Sequence, residues 1–204
     1  MQNRFSGLIL ASSSRYRSSL LKTLGIAFTT SDPSIDETPK VGESARALSL
    51  RLAREKANKI AKKNPGALVI GSDQVALFDN KIIGKPGSKK AAIKQLSILQ
   101  GQKVHFFTSV ALCSESLKPK SKCANSVVSF RTLSKTEIER YIEIDHPIDC
   151  AGSFKSESLG ISLFNKIKSD DPTALIGLPL ISLTSLFIEF GINPIDLHEQ
   201  FLPK

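Results

Sequence analysis

Near the start of the chain, Ser12-Ser13-Ser14-Arg15-Tyr16-Arg17 puts hydroxyls and guanidinium groups between a short apolar run and a helix start. A strand-to-helix turn exposes backbone N–H groups and the positive end of the helix dipole, so hydroxyls and arginines there suit an anion. Asp36-Glu37 places two carboxylates side by side in a loop between Pro33 and Pro39, hard oxygen ligands of the kind Mg2+ takes. Gly71-Ser72-Asp73-Gln74 follows directly on the apolar run from Ala67. An acid at a strand end is where an α/β fold usually carries a catalytic carboxylate. Gly84-Lys85-Pro86 bends the chain and offers an ammonium to a phosphate, without the GxxxxGK[ST] pattern of a P-loop. Taken singly, each segment also has an ordinary reading: a serine cap with solvated arginines, an acidic turn, a turn-forming aspartate. Lys56, inside a helical stretch, is unremarkable by itself.

Other chemistries are poorly served. His105, His146 and His198 are far apart, without metal-ligand spacing, and suit structural or surface roles. GxSxG, HExxH and GxGxxG are all absent, which argues against a histidine-based hydrolase or a zinc site.

The elements that must position these residues alternate between helix and strand. Leu8–Ala11 predicts a buried strand, and the serines after it cap a helix over about Tyr16–Leu24, stopped by Gly25. Ile26–Thr30 suggests a second strand. Ser44–Lys62 is helical and Ala67–Gly71 a buried strand. Val75–Phe78, Asp79-Asn80 and Lys81–Ile83 form a hairpin pattern. Lys89–Leu99 is amphipathic. Lys103–Cys113 and Ser126–Phe130 are expected as strands, with Lys118–Lys122 a basic loop between them. Ser134-Lys135-Thr136-Glu137 has the form of a capping box opening a helix that ends before His146-Pro147. Gly152–Gly160 is expected as a loop, and Thr173–Phe190 contains the last helix. Such interleaving predicts an α/β fold with a mixed sheet, with no linker between independent domains.

The 204 residues suffice to bury a core without disulfide or metal staples. Apolar residues at 41% and charged residues at 23% are ordinary for an ordered chain. Cys113, Cys123 and Cys150 are scattered and form no CxxC pair, so reduced thiols and a cytoplasmic setting are expected. Met1–Gly7 is too short and polar for a signal peptide, and no apolar run approaches the roughly 20 residues of a membrane span. The formal charge of +9 invites a polyphosphate, a nucleic acid or an acidic membrane surface, and equally describes a well-solvated basic surface.

In their order along the chain, these segments resemble the Maf family. The resemblance is carried by Leu8-Ile9-Leu10-Ala11-Ser12-Ser13-Ser14 with Arg17, then Asp36-Glu37, Ala53-Arg54-Glu55-Lys56-Ala57, Ile70-Gly71-Ser72-Asp73-Gln74-Val75 and Gly84-Lys85-Pro86. It continues through Cys150-Ala151-Gly152-Ser153-Phe154-Lys155-Ser156-Glu157 and Ile176-Gly177-Leu178-Pro179. Each motif is weak alone; the ordered set, from about residue 8 to 190, is specific. The resemblance implies one Maf-like domain over residues 1–204, an α/β structure with a curled mixed sheet, flanking helices and two lobes around a deep cleft (Maf/ITPase-like). It implies hydrolysis of a nucleoside triphosphate between the α and β phosphates with a divalent metal (Mg2+, Mn2+ or Co2+), and a homodimer that needs neither membrane nor nucleic acid.

Within the family, Ser72-Asp73-Gln74 and Lys155-Ser156-Glu157 resemble the branch that prefers 7-methyl-GTP rather than the dTTP and UTP branch. Tyr16 stands where that branch places an aromatic residue. A methylated N7 makes guanine cationic, and an aromatic face stacks well on a cationic ring, while a carboxylate such as Glu157 accepts from guanine N1–H and its amino group. The resemblance thus implies Asp73, Lys56, Lys85 and Arg17 as catalytic residues. Ser12, Ser14, Tyr16, Gln74, Lys155 and Glu157 would bind substrate, and Glu37 with Asp73 the metal. Arg15 and Tyr16 depart from the family's usual proline and the branch's usual tryptophan. A dTTP/UTP-type or broad pyrophosphatase, and a non-catalytic nucleotide or nucleic-acid binding regulator, are the competing readings.

Overall fold

The computed structural model describes residues 5–196, so His198 lies outside the described residues. The strands are β1 (Leu8–Ala11), β2 (Thr29–Thr30), β3 (Leu68–Phe78), β4 (Lys81–Ile83), β5 (Lys103–Ser114), β6 (Leu117–Phe130) and β7 (Phe164–Ser169). The helices are α1 (Arg15–Lys22), α2 (Ala45–Ala61), α3 (Lys89–Leu99), α4 (Lys135–Asp145) and α5 (Leu180–Glu189), with short 3-10 turns at Leu159–Leu163, Ala174–Ile176 and Pro194–Asp196. The strands form one seven-stranded sheet in the order β2-β1-β3-β5-β6-β7, with β4 added to β3. β1 runs parallel to β2 and β3; the other pairs are antiparallel. The fold is α/β with an open mixed sheet.

The break in this sheet positions the site. β1 ends where Ala11 pairs with Gly71, whereas β4 reaches only as far as Ile83 opposite Ala76. On that edge Ser72–Val75 of β3 have no strand beside them, while β5 pairs β3 without interruption on the other edge from Val69 to Leu77. The polar Ser72-Asp73-Gln74 therefore does not end a strand, as the sequence suggests. It lies inside one continuous strand that β5 holds straight, and its open edge faces a gap.

Serine caps start four helices: Ser14, Ser44, Ser88 and Ser134 each accept from a backbone N–H one turn on. The capping box of Ser134 and Glu137 is present with both reciprocal bonds. α5 begins differently, because Pro179 at its N-cap position supplies no side-chain acceptor. Thr173 Oγ1 accepts from Leu180 N at 2.9 Å and Asp171 Oδ2 from Ser182 N at 3.0 Å, so a turn outside the helix satisfies its first donors.

Other expectations are corrected by pairing. Lys118–Lys122 is not a loop: β6 begins at Leu117, and Lys120 and Lys122 pair with Glu189 on α5. The second strand is reduced to Thr29–Thr30. β7, unforeseen, is an edge strand of mostly exposed residues, so its sequence lacks the apolar alternation of a half-buried strand. Among the described residues no helix is long and apolar enough to cross a membrane, and all three cysteines are free thiols.

Burial gathers around the sheet. Leu10, Leu21, Leu68, Ile70, Leu186 and Phe187 pack β1 and β3 against α1 and α5, and Leu96, Leu99, Phe106, Phe130, Ile138 and Phe154 form a second cluster under α3 and α4. On the other face α2 lies against β3 through Ala53 and Ala57. An added Cβ at Gly71 would meet Ala53 O at 2.1 Å and Ala57 N at 2.7 Å, so only glycine lets helix and strand come this close. Gly71→Ala is expected to push α2 off β3 and lower stability by about 1–3 kcal/mol. An unchanged urea midpoint for this variant would contradict that packing.

Candidate active site

At the gap, α2 delivers Lys56 and β3 delivers Asp73. Lys56 lies on the buried stripe with Leu52, Ala53, Ala57 and Ile60, which explains how a lysine on an otherwise ordinary helix points inward. Its Nζ stands 2.6 Å from Asp73 Oδ1 and 2.6 Å from Glu37 Oε1. The Lys56 and Asp73 side chains are 7% and 9% exposed, that of Glu37 54%, so the bridge runs from the interior to the cavity mouth. Glu37 is carried by the loop before α2. Arg51 holds that loop, donating to Thr38 O at 3.0 Å and forming a two-point pair with Glu43 at 2.7 and 2.9 Å.

Arg17 approaches the same group from α1. Its Nε donates to Gly177 O at 2.9 Å and its Nη1 to Ser12 Oγ at 3.5 Å. Gly177 has φ +125°, a conformation L side chains rarely adopt, and the Arg17 side chain packs against it. Ser12 Oγ also accepts from Ser14 N, and Ser14 Oγ caps α1 by accepting from Arg17 N.

The charges perturb one another. Burial pushes the Asp73 carboxyl up, a shift that the Lys56 and Arg17 cations only partly offset and that Glu37 reinforces. Burial also raises Glu37, but the hydrogen bond and charge of Lys56, with Lys85 and Arg17, outweigh it and leave Glu37 below the ordinary glutamate value. Burial lowers Arg17, against the pull of Asp73 and Glu37. A desolvated aspartate beside concentrated positive charge is what proton abstraction next to a phosphate requires.

A cavity of about 470 Å3 opens over this cluster. Ser12, Ser14, Arg17, Glu37, Lys56 and Lys85 line it, and so do Tyr16, Gln74 and Glu157. Asp73 is not itself in the lining, but its ion-pair partner Lys56 is. Lys155 is outside it: its ammonium donates to Asp145 O at the end of α4, and its backbone N–H donates to Tyr141 Oη at 3.1 Å. Gln74 spends its amide nitrogen on Thr108 Oγ1, Ala174 O and Leu175 O at 3.0–3.1 Å. It fastens the turn that presents Gly177 to Arg17 while forming part of the wall. Burial raises the Glu157 carboxyl above its ordinary value.

Arg15 of the Ser12–Arg17 segment lines this cavity too, together with Asp149 and Cys150, which the sequence does not mark as wall residues; nor does the sequence show that Ser72 helps hold the Gly177 carbonyl, donating at 3.0 Å. Asp149 precedes the Cys150–Glu157 motif and Cys150 opens it, but nothing in their types announced a wall. No group of three or more His, Cys, Asp or Glu among the described residues could hold a metal by itself. Glu37 and Asp73, both within reach of one cation, Lys56, are two hard oxygen donors, and Mg2+ commonly binds one or two carboxylates with phosphate oxygens completing its shell. The donor set fits a divalent ion brought with a polyphosphate.

A family model described as Maf-like protein matches residues 7–190. The 7-methyl-GTP pyrophosphatase of Bordetella pertussis is 47% identical over 191 residues, covering 94% of this chain and 96% of that protein. The 7-methyl-GTP pyrophosphatases of Alcanivorax borkumensis and Xanthomonas oryzae pv. oryzae are 46% and 49% identical, over 95% and 91% of this chain and 98% and 97% of theirs. A more distant likeness is the solved Ham1 protein of Staphylococcus aureus, 16% identical over 60% of this chain and 71% of that one, with a TM-score of 0.42. On the family model and these identities, the chain belongs to the Maf family.

Proposed function

We propose that this chain is a nucleoside triphosphate pyrophosphatase that cleaves 7-methyl-GTP into 7-methyl-GMP and pyrophosphate. The observation that carries the reading is one cavity lined both by Arg17, Lys56, Lys85 and Glu37 and by Tyr16, Gln74 and Glu157. Cations and carboxylates suit a triphosphate with a divalent ion; an aromatic ring and a carboxylate suit a cationic guanine. The names of the 46–49% identical relatives agree with this substrate.

In this reading Asp73 takes the proton of a water that attacks the α-phosphorus, and the bond to the β-phosphate oxygen breaks. Arg17, Lys56 and Lys85 hold the negative charge that develops on the phosphate oxygens and on departing pyrophosphate. Glu37 and Asp73 would hold a divalent cation, which neutralises triphosphate charge when bound. Ser12 and Ser14 add hydroxyls to the phosphate end, and Tyr16 stacks on the base while Glu157 accepts from its N1–H and amino group. Lys155, tied to Asp145, acts on substrate only through the backbone of the loop that carries Glu157. Gln74 combines a wall position with the anchoring of the 174–177 turn.

The testing experiment is pyrophosphate release with Mg2+ across 7-methyl-GTP, GTP, dTTP, UTP, CTP and ITP. Preference for 7-methyl-GTP is expected, and preference for dTTP or UTP would defeat the assignment of Tyr16, Gln74 and Glu157. No release from any of them, with Mn2+ and Co2+ also tried, would favour a binding protein instead. Chelation by EDTA is expected to abolish release and added Mg2+ to restore it. Asp73→Asn should lower kcat by at least about 100-fold, the scale of a lost general base, while substrate still binds by calorimetry. Turnover near the parent rate would remove Asp73 from the role of base. Glu157→Gln is expected to compress the difference between guanine nucleotides and the others more than it slows hydrolysis of a poor substrate, and an unchanged substrate profile would sink that role.

A further inference from the structure

The cavity lining already holds a planar cation of the protein's own, beside Tyr16. Arg15 Cζ lies 4.9 Å from the centroid of the Tyr16 ring, and Arg15 Nη2 donates to Tyr16 Oη at 2.9 Å. Tyr16 Oη in turn donates to Asp149 Oδ2 at 3.4 Å, which ties α1 to the segment after α4. Cys150 Sγ donates to the other oxygen, Asp149 Oδ1, at 3.4 Å. Arg15, Tyr16, Asp149 and Glu157 all line the cavity. A delocalised, flat, positively charged group thus rests at an aromatic ring in a wall that also carries two carboxylates. That is the chemistry an N7-methylated guanine would present.

We propose that Arg15 and Asp149 set the preference for a cationic over a neutral guanine with opposite signs, Asp149 favouring the cationic base and Arg15 competing with it. The proposal rests on the reading that Tyr16 and Glu157 face the base. Asp149 attracts a base cation that neutral guanine does not offer. Arg15 repels that same cation and occupies part of the ring it would stack on. The triphosphate is common to both substrates, so its interactions with either side chain cancel when the two are compared as a ratio. Both side chains are exposed in the described structure, so each charge can be removed without touching the core.

The experiment is the ratio of kcat/KM for 7-methyl-GTP to that for GTP, in the parent chain and in Arg15→Gln and Asp149→Asn, substitutions that keep a hydrogen-bonding end and remove the charge. Arg15→Gln is expected to raise the ratio and Asp149→Asn to lower it, each by about two- to fivefold, the range of a single solvent-screened charge pair. Both shifts should shrink as salt rises, which a merely structural role for either residue would not produce. A ratio that moves in neither variant, or in the same direction in both, overturns the proposal while a parent preference for 7-methyl-GTP leaves the substrate reading standing. A parent chain that treats the two nucleotides alike overturns both.

Discussion

The ammonium of Lys56, buried and held at 2.6 Å by Asp73 on one side and Glu37 on the other, is the interaction on which the site depends. A buried charge is tolerated only when paired, and removing one partner of a buried pair costs about 3–5 kcal/mol. The fold meets that demand by bringing three pieces of chain to one point: the inward stripe of α2, the polar stretch of β3 and the loop before α2. Gly71 permits the first two to touch, because any side chain there would strike the backbone of Ala53 and Ala57. Arg51 fixes the third through Glu43 and the Thr38 carbonyl. The same bridge that satisfies Lys56 leaves its charge, and that of Glu37, in the lining of a cavity where a polyphosphate can meet them.

The part of the lining formed by Leu175, Ile176 and Gly177 is organised by backbone carbonyls. Those of Ala174, Leu175 and Gly177 receive Gln74, Ser72 and Arg17, and Thr108 donates to the first of them. Asp171, 1% exposed, and Thr173 hold this turn in place by serving as acceptors for the start of α5, where Pro179 leaves the helix without a side-chain cap of its own. A helix terminus, a tight turn and an arginine are therefore coupled. Arg17 is aimed because Gly177 O is fixed, by Ser72 directly and by the bonds of Gln74, Asp171 and Thr173 that hold the turn.

Much of this was legible in the sequence. The serine caps, the apolar stripe of each helix and the Asp79-Asn80 hairpin all follow from local rules that the structure obeys. Most of the charged and polar residues the motifs single out do converge, but Asp36 stays outside the cavity and accepts from Thr38 N, Lys155 turns to Asp145, and Asp73 meets the lining through Lys56. What was hidden depends on neighbours distant in sequence. Ser72-Asp73-Gln74 resembles a strand end because polar residues interrupt the apolar run, and only the pairing with β5 keeps it extended. Lys118–Lys122 resembles a solvated loop until Glu189 supplies countercharge. Lys56 looks like any helical lysine until two carboxylates arrive from elsewhere. Asp149 gives no local sign of meeting Tyr16, 133 positions earlier in the chain.

The central claim is that this cavity directs water to the α-phosphorus of a nucleoside triphosphate. Hydrolysis of 7-methyl-GTP in 18O-enriched water, with the products analysed by mass spectrometry, tests it most directly. Attack at the α-phosphorus puts 18O in the 7-methyl-GMP and none in the pyrophosphate. Label in pyrophosphate, or release of orthophosphate with 7-methyl-GDP, would place the attack at another phosphorus and contradict it.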